Sequence, residues 1–305
     1  MVREEPQSRR GSTKAAFAPD FTLRGRNLNS YFREVSIGSV RDFWNNRPCN
    51  IRHSPKPVGS LEYFNEVEAR KYFVEPHIPR FADFSRWAGK RVLEIGCGIG
   101  TDTINFARAG AEVTAVDLSE KSLELARKRA ELFGLNNITF IQADVEQLTR
   151  TMTAKDFDLV YSFGVIHHTP NPEIGLAQMA ALLRPGGTLK LMVYHRYSWK
   201  VLSIVATHGR CAFWDIDRII ARHSEAQEGC PVTYAYSPRR LRKMVEKAGC
   251  RVEDIFVEHI FPWRIPDYVQ YHYKKVWYFA AIPPAVFRWL ERRFGWHLCI
   301  TAVKA

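Results

Sequence analysis

The stretch that decides the fold is VLEIGCGIGTDT, residues 92–103, where an apolar run leads directly into a loop with glycines at 96, 98 and 100. The run RVLEIG (91–96) is typical of a buried strand, and residues 101–109 after the loop have the pattern of a helix. Glycines at such a turn let the backbone approach a ligand closely at the helix N-terminus. We therefore expect a ligand-binding loop after the first strand of an α/β fold.

The same alternation of apolar runs and amphipathic stretches continues to the end of the chain. It is typical of a mostly parallel sheet with helices on both faces. Ser119 and Ser237 are expected N-caps of two of the helices, and Gly134 and Gly249 are expected at their ends. The further strands are predicted at 112–117, 138–144, 157–164, 188–194, 251–261 and 296–305.

The segments that do not follow this alternation of strands and helices indicate the domain boundaries. We expect a basic, disordered segment at 1–28, a helical lid segment at 29–89 and the main domain at 90–305, with insertions at 195–236 and 262–295. Ligands of open parallel sheets bind beyond the carboxyl ends of the strands. Both insertions follow strands that end at that edge, so they are expected to cover the site.

Composition and charge narrow the class of protein. The 305 residues carry a net charge of +12, and from Arg196 onward 18 Lys and Arg stand against 10 Asp and Glu. Such a surface suits an anionic small molecule, a nucleic acid or an anionic lipid, and charge alone does not choose between them. The six cysteines are scattered, and no secretory leader or run of about 18 apolar residues is found. We expect a cytoplasmic protein, at most peripheral to the inner membrane surface.

Three acidic residues at three strand ends indicate the class of ligand. Glu94 precedes the glycine loop, where a carboxylate would repel a pyrophosphate but suits an ammonium and a sulfonium. Asp117 ends the second strand, where it can accept hydrogen bonds from ribose hydroxyls, and Asp144 ends the third, where an adenine edge would lie. Thr101 also stands where a dinucleotide fingerprint has its last glycine. The pattern favours S-adenosylmethionine over NAD.

Residues 90–194 and 237–305 resemble the class I S-adenosylmethionine-dependent methyltransferases, in the broad group that contains the ubiquinone and menaquinone methyltransferases. The segments that carry the resemblance are VLEIGCGIGT, VTAVDLS, QADVEQL, FDLVYSFGVIHH and LRPGGTLKLMV. The resemblance implies a Rossmann-like sheet of seven strands with the last antiparallel, and S-adenosylhomocysteine as a product. It also implies cofactor contacts from Glu94, Gly96, Cys97, Gly98, Gly100, Thr101, Asp117, Leu118, Asp144, Val145 and Phe163.

Catalytic candidates follow the fourth and fifth strands, which are neighbours in this fold. His167 and His168 come after the fourth strand, and an imidazole is suited to act as a base at neutral pH. Tyr194 and His195 end the fifth strand opposite them, and Arg196 could hold an anionic substrate. The alternative is that the histidines form an ordinary turn before a helix. No Cys/His cluster with metal-ligand spacing surrounds the pair, so no metal site is expected.

Two further regions are candidates for substrate contact. The helix around residues 61–75, closed by Pro76 and Pro79, carries Tyr63 and Arg70, and His77 follows it. These three residues could form a lid, although packing is the simpler explanation. The insertion at 262–295 is rich in aromatic and basic residues. We expect a helical lid whose aromatic side chains pack on the sheet, with an interfacial segment for a membrane or a lipid-like substrate as the alternative.

These observations predict an enzyme that methylates a small molecule, lipophilic or anionic, at oxygen or carbon rather than nitrogen. A quinone-like compound, a secondary-metabolite scaffold or a sugar is a candidate acceptor. The charge also raises an RNA methyltransferase as an alternative, but the fourth strand ends in YSFG and not in an Asn/Asp-Pro-Pro-aromatic tetrad. A cofactor-binding protein without transferase activity is the other alternative.

Overall fold

Seven strands form a single sheet in the computed structural model, which describes residues 32–209, 216–223 and 230–305. The segment predicted at 1–28 lies outside the described residues. The strands run in the order β3-β2-β1-β4-β5-β7-β6, with β1 to β5 parallel and β7 antiparallel to both neighbours. This confirms the predicted fold class. Their bounds are β1 Arg91–Ile95, β2 Glu112–Asp117, β3 Ile138–Gln142, β4 Phe157–Phe163, β5 Leu183–Tyr194, β6 Cys250–Glu258 and β7 His297–Lys304.

Helices cover both faces of the sheet and its carboxyl edge. Ser119 and Ser237 cap two of them as expected, each accepting a hydrogen bond from the backbone N–H three residues on. The helices of the described residues are α1 Ile37–Asn46, α2 Leu61–Val74, α3 His77–Ala82, α4 Thr101–Arg108, α5 Glu120–Leu132, α6 Leu148–Thr151, α7 Pro172–Leu182, α8 Trp199–His208, α9 Ile216–His223, α10 Pro238–Lys247, α11 Ile265–Tyr268, α12 Trp277–Ala280 and α13 Pro284–Phe294.

Some element boundaries differ from the prediction. Pro79 lies inside α3 and does not end a helix, because it occupies the first turn, where no N–H donor is needed. β5 begins at Leu183, so the RPGG segment lies within the strand, where it forms a bulge: the pairing with β4 passes from Leu183 to Thr188, and Gly186 has a φ of +70°. β3 ends at Gln142, since the Asp144 side chain accepts a hydrogen bond from the N–H of Glu146 and starts a turn.

The core lies on both faces of the central strands, as expected for parallel strands covered by helices. Leu93 and Val160 pack with the face that carries α7, while Val92 and Leu159 pack on the opposite face with Phe106 of α4. Each fully buried side chain of this size contributes about 1.5–3 kcal/mol. The sheet is therefore a rigid base, and its carboxyl edge holds loops in fixed positions. Among the described residues no helix has both the length and the hydropathy to span a membrane.

Candidate active site

The glycine loop brings backbone close to the loop that follows β4. Gly96 has a φ of +74°, and a Cβ there would lie 2.2 Å from Cγ2 of Val165, so only glycine fits. Gly98 has a φ of +55° and open space where a Cβ would be. Its N–H donates to Oδ2 of Asp117 at 2.8 Å, which ties the loop to the end of β2. The loop therefore leaves an open space above β1, β2 and β4.

That space is a pocket at the carboxyl edge of the sheet. Ile95, Ala143 and Gly164 contribute to its walls, and it is largely apolar with a few polar groups. Seven of the residues predicted to contact the cofactor line it: Gly96, Gly98, Asp117, Leu118, Asp144, Val145 and Phe163.

Two carboxylates face this pocket in different settings. Asp117 accepts hydrogen bonds from the N–H groups of Gly98 and Ser119, both at 2.8 Å. Burial raises the pKa of Asp117, and the backbone N–H donors oppose that shift. Asp144 accepts from the N–H of Glu146 at 2.9 Å, and partial burial raises its pKa. Both side chains are held in place by backbone donors before any ligand arrives.

Four predicted cofactor residues do not line the pocket. Glu94 is buried beneath the loop, where Thr103 donates to it, and burial together with the charge of Asp102 raises its pKa to about 8. It points away because side chains alternate along a strand and the adjacent Ile95 faces the pocket. The other three have partners inside the fold: Cys97 donates to the Gly98 carbonyl, Gly100 packs on Ala126, and Thr101 accepts from Arg129 at 2.8 Å.

α1 covers the pocket; it lies within the segment 29–89 expected as a lid, although none of its residues was singled out from the sequence. Ile37, Val40 and Trp44 line the pocket, followed by Cys49. Asn45 fixes this helix to the end of β2, since its Oδ1 accepts from the hydroxyl of Ser119 at 2.9 Å. Sequence alone gives no signal for this contact, because it joins distant segments.

Two of the predicted lid residues pack elsewhere. Tyr63 is fully buried and donates to the carbonyl of Ile51 at 2.9 Å. Arg70 holds the insertion at 262–295: it donates to the carbonyl of Tyr268 at 2.6 Å, and its guanidinium lies 4.1 Å and 4.3 Å from the ring centroids of Tyr268 and Tyr271. Neither residue lines the pocket that holds the predicted cofactor residues.

The two adjacent histidines have different surroundings. His168 lines the pocket, and its Nδ1 lies 2.8 Å from the carbonyl oxygen of Val232, so Nδ1 bears the proton and Nε2 carries the lone pair. His167 is fully buried, and neither ring nitrogen has a hydrogen-bond partner among the described residues. Burial and the neighbouring His168 lower the pKa of His167 well below 6.5, so this imidazole is neutral at pH 7.

The end of β5 lies next to the His167–His168 pair, as predicted. The ring centroids of Tyr194 and His167 lie 3.8 Å apart, and Trp296 stacks on the other side of Tyr194 at 3.9 Å. His195 instead pairs with the carbonyl of Gly295 through Nδ1 at 3.1 Å. Arg196 donates to Asp217 at 2.8 Å, so its charge is already paired. Tyr194 is thus the β5 candidate closest to the histidine pair.

A second group of imidazoles lies behind Phe163, one ring away from the pocket. The Phe163 ring centroid is 6.0 Å from that of His77 and 5.4 Å from that of His297. His259 stacks on His297 at 4.7 Å. Burial lowers the pKa of His77 and of His259 to about 3, and the same cause lowers that of His297. His77 was a predicted residue, whereas His259 and His297 were missed although they stand at the end of β6 and the start of β7.

The arrangement can bind the apolar part of a ligand in the pocket and can accept protons beside it. Backbone N–H groups and two carboxylates surround the pocket, and neutral imidazoles lie beside and behind Phe163. Neutral imidazole is the form that removes a proton from a hydroxyl.

Comparison with known proteins gives a family match and a full-length relative. Residues 92–187 match the methyltransferase domain family. A ubiquinone biosynthesis O-methyltransferase of Coxiella burnetii is 32% identical over 242 residues, covering 79% of this chain and 90% of that protein. One from Aromatoleum aromaticum is 39% identical over 109 residues, covering 36% of this chain and 46% of that protein.

Solved structures agree in fold. A magnesium protoporphyrin IX methyltransferase from Synechocystis PCC 6803, crystallised with bound S-adenosylhomocysteine, superposes with a TM-score of 0.57 at 18% identity. The match covers 88% of this chain and 100% of that one. A methyltransferase from Mesorhizobium loti superposes with a TM-score of 0.51 at 20% identity, covering 75% of this chain and 97% of that one.

Proposed function

The chain belongs to the class I S-adenosylmethionine-dependent methyltransferases, and from that premise we propose that it methylates an oxygen of a small phenolic acceptor. Methyl transfer from S-adenosylmethionine to a small molecule agrees with the relatives and with the prediction from sequence. The relative that spans most of the chain is by name an O-methyltransferase of ubiquinone biosynthesis. That name supports a quinone-like, lipophilic acceptor over a nucleic acid.

The observation that carries the proposal is the His167–His168 pair beside the pocket. A thiolate acceptor needs no base, whereas a hydroxyl must lose its proton as the methyl group arrives. His168 lines the pocket, and the hydrogen bond from its Nδ1–H to the Val232 carbonyl makes Nε2 the basic nitrogen of the ring. We therefore assign the base to His168 and a positioning role to His167, which packs against it with ring centroids 4.2 Å apart.

The cofactor is placed by the residues that line the pocket. In this proposal Asp117 accepts hydrogen bonds from the ribose, while Leu118, Asp144 and Val145 surround the adenine. The glycine loop approaches the methionine part, and Phe163 closes the methionine side of the pocket.

The transfer itself is an in-line displacement. The acceptor oxygen forms a bond to the methyl carbon as the carbon–sulfur bond breaks, and the sulfonium becomes neutral S-adenosylhomocysteine. The hydroxyl proton passes to His168 and then to solvent. Holding oxygen and methyl carbon about 3–3.5 Å apart supplies most of the rate effect.

The test compares catechol with a nitrocatechol in His168→Gln, His167→Gln and the wild type. We expect His168→Gln to lower kcat for catechol by about 10²–10⁴-fold, and to lower it less for the nitrocatechol, which is already ionised near neutral pH. The variant's rate with catechol should rise with pH as the acceptor ionises. Because burial and the neighbouring His168 lower the pKa of His167 below 6.5, His167 stays neutral in its packing against His168 down to about that pH.

His272→Gln is the control, since His272 is exposed on the insertion. If His167 positions His168, His167→Gln should alter the pH dependence of kcat. The KM for the cofactor should change little. Wild-type turnover with catechol at pH 7 in both the His167 and the His168 variants would contradict the assignment.

We also propose that the insertion at 262–295 touches an anionic membrane surface from which a lipophilic acceptor enters. Trp277 and Trp289 are 78% and 58% exposed, and Ile265 and Val269 are exposed beside them. The same segment carries exposed basic residues, among them Lys274 and Lys275. Exposed aromatic residues with basic neighbours suit the interface of an anionic bilayer.

A further inference from the structure

Three potential metal ligands converge behind Phe163, outside the pocket that holds the predicted cofactor residues. One ligand atom each from Glu75, His259 and His297 lies within 4.8 Å of the others. Glu75 ends α2, His259 follows β6 and His297 begins β7. Three separate elements therefore deliver these side chains to one point at the carboxyl edge of the sheet.

The orientation of His297 matches that of a metal-ligating histidine. Its Nε2 lies 3.5 Å from Oε1 of Glu75, and its Nδ1 lies 2.9 Å from Nε2 of His77. A ligating imidazole usually has its other ring nitrogen held by a hydrogen bond, which fixes the tautomer and the ring plane. His77 supplies that bond here.

The backbone at His259 supports a specific placement of its side chain. Its φ is +73°, a conformation that residues other than glycine rarely adopt and that is often found at functional sites. The N–H of Trp296 donates to the His259 carbonyl at 2.7 Å and fixes this turn. The turn places the imidazole against His297 rather than continuing the strand.

We propose that Glu75, His259 and His297 bind one divalent transition metal ion, with Zn²⁺ the first choice. Two imidazoles and one carboxylate are the protein ligands of many catalytic zinc sites, and they leave a coordination position open for an exchangeable oxygen. The sequence predicts no metal site because these ligands lie far apart along the chain and show no ligand spacing.

The site lies one aromatic ring away from the cofactor pocket. His297 is in edge contact with Phe163, whose ring also lines the pocket. The open coordination position would hold the acceptor hydroxyl as its oxyanion and orient it toward the methyl group. This role rests on the proposed function, whereas metal binding by the three residues does not.

The competing explanation is a polar core in which Glu75, His297 and His77 only bond to one another. Metal binding distinguishes the two. The full-length protein, stripped with a chelator and dialysed, is titrated with Co²⁺ and followed by visible d–d absorption, and Zn²⁺ is then added to displace it. We expect one Co²⁺ per chain with the intense absorption of a four- or five-coordinate ion, and its loss when Zn²⁺ is added.

Two near-isosteric variants test the ligands. Glu75→Gln and His259→Gln should each weaken Co²⁺ binding by at least tenfold. Unchanged circular dichroism and unchanged S-adenosylhomocysteine affinity in each variant would show that folding and the cofactor pocket are intact. The control is His208→Gln, because exposed His208 stacks on His223 at 4.4 Å and could collect metal at the surface.

Absence of a Co²⁺ spectrum in the wild type would overturn the proposal. A spectrum lost in His208→Gln but retained in His259→Gln would also overturn it. If one Co²⁺ binds as expected and no hydroxyl acceptor is methylated, the metal site stands and the proposed function is contradicted.

Discussion

Asp117 shows how one side chain links fold and function. Its position at the end of a strand, 19 residues after Gly98, was readable from sequence. The structure adds that the same carboxylate accepts hydrogen bonds from the N–H groups of Gly98 and Ser119. It therefore orders the glycine loop and the start of α5 while facing the pocket.

We expect Asp117→Ala to lose most of its affinity for S-adenosylhomocysteine. Charge-assisted hydrogen bonds are worth about 1.5–3 kcal/mol each, so the dissociation constant should rise by roughly tenfold to a hundredfold or more. Isothermal calorimetry measures this change.

The matched control is Asp158→Ala, since Asp158 also accepts a backbone N–H bond, from Arg91, but at the opposite end of the strands. That variant should bind the ligand as the wild type does. Wild-type affinity in Asp117→Ala would sink the ribose assignment.

Where the signal was local, the sequence indicated residues that line the pocket. Asp117, Asp144 and Phe163 follow from strand ends and their spacing, and all three line it. Glu94, also expected at the cofactor, does not line this pocket, because side chains alternate along a strand and the adjacent Ile95 lines it. His259 and His297 were missed because only the pairing of β6 with β7 brings them together.

At the level of elements, the insertion at 262–295 departs from its predicted packing. Phe279 is buried, but the neighbouring Trp277 is exposed, so the aromatic side chains do not all fill the contact with the sheet. Arg70 of α2 anchors the segment through Tyr268. The sequence could not predict this arrangement, because helices as short as α11 and α12 do not show a repeating pattern of apolar residues that would identify their buried face.

The double variant Trp277→Ala/Trp289→Ala should bind anionic vesicles more weakly. Each exposed indole is expected to contribute on the order of 1 kcal/mol at an interface, so partitioning should fall roughly tenfold or more. Flotation with phosphatidylglycerol vesicles measures it, with phosphatidylcholine vesicles for comparison. Leu132→Ala, an exposed apolar residue on α5, serves as control. Equal flotation of the double variant and the wild type would exclude this surface as the contact.

For the whole molecule, a buried histidine ties stability to pH. Burial and the charges of Arg70 and Lys71 lower the pKa of His53 to about 3 from an unfolded value of 6.5. The unfolded chain therefore binds a proton between pH 6.5 and about 3 that the folded chain does not. The stability associated with neutral His53 is present above pH 6.5 and is lost as pH falls toward 3.

His53→Gln should flatten this dependence. The wild type is expected to lose up to about 1.4 kcal/mol per pH unit from this group alone below pH 6.5, and the variant should lack that contribution. Urea unfolding at several pH values between 7 and 4.5, in the presence of a chelator, measures the slope. His272→Gln should keep the wild-type slope, and an identical slope in His53→Gln would refute the contribution.

The mostly parallel sheet of seven strands with the last antiparallel was predictable at this scale, because the alternation of strands and helices and the motifs shared with the family indicate it together. The residues by which the segment 29–89 covers the pocket were not predictable, since α1 is held there by contacts such as Asn45 with Ser119 that join distant parts of the chain.

The most direct test of the central claim uses S-adenosylmethionine labelled in its methyl group. The full-length protein is incubated with it and a cell extract, which is then separated into organic-soluble small molecules, aqueous small molecules, RNA and protein. We predict label in the organic-soluble fraction, released as methyl iodide by hydriodic acid because it is bound to oxygen, and strongly reduced with Asp117→Ala. Label confined to RNA or protein, or label that resists hydriodic acid, would contradict methylation of a small hydroxyl acceptor.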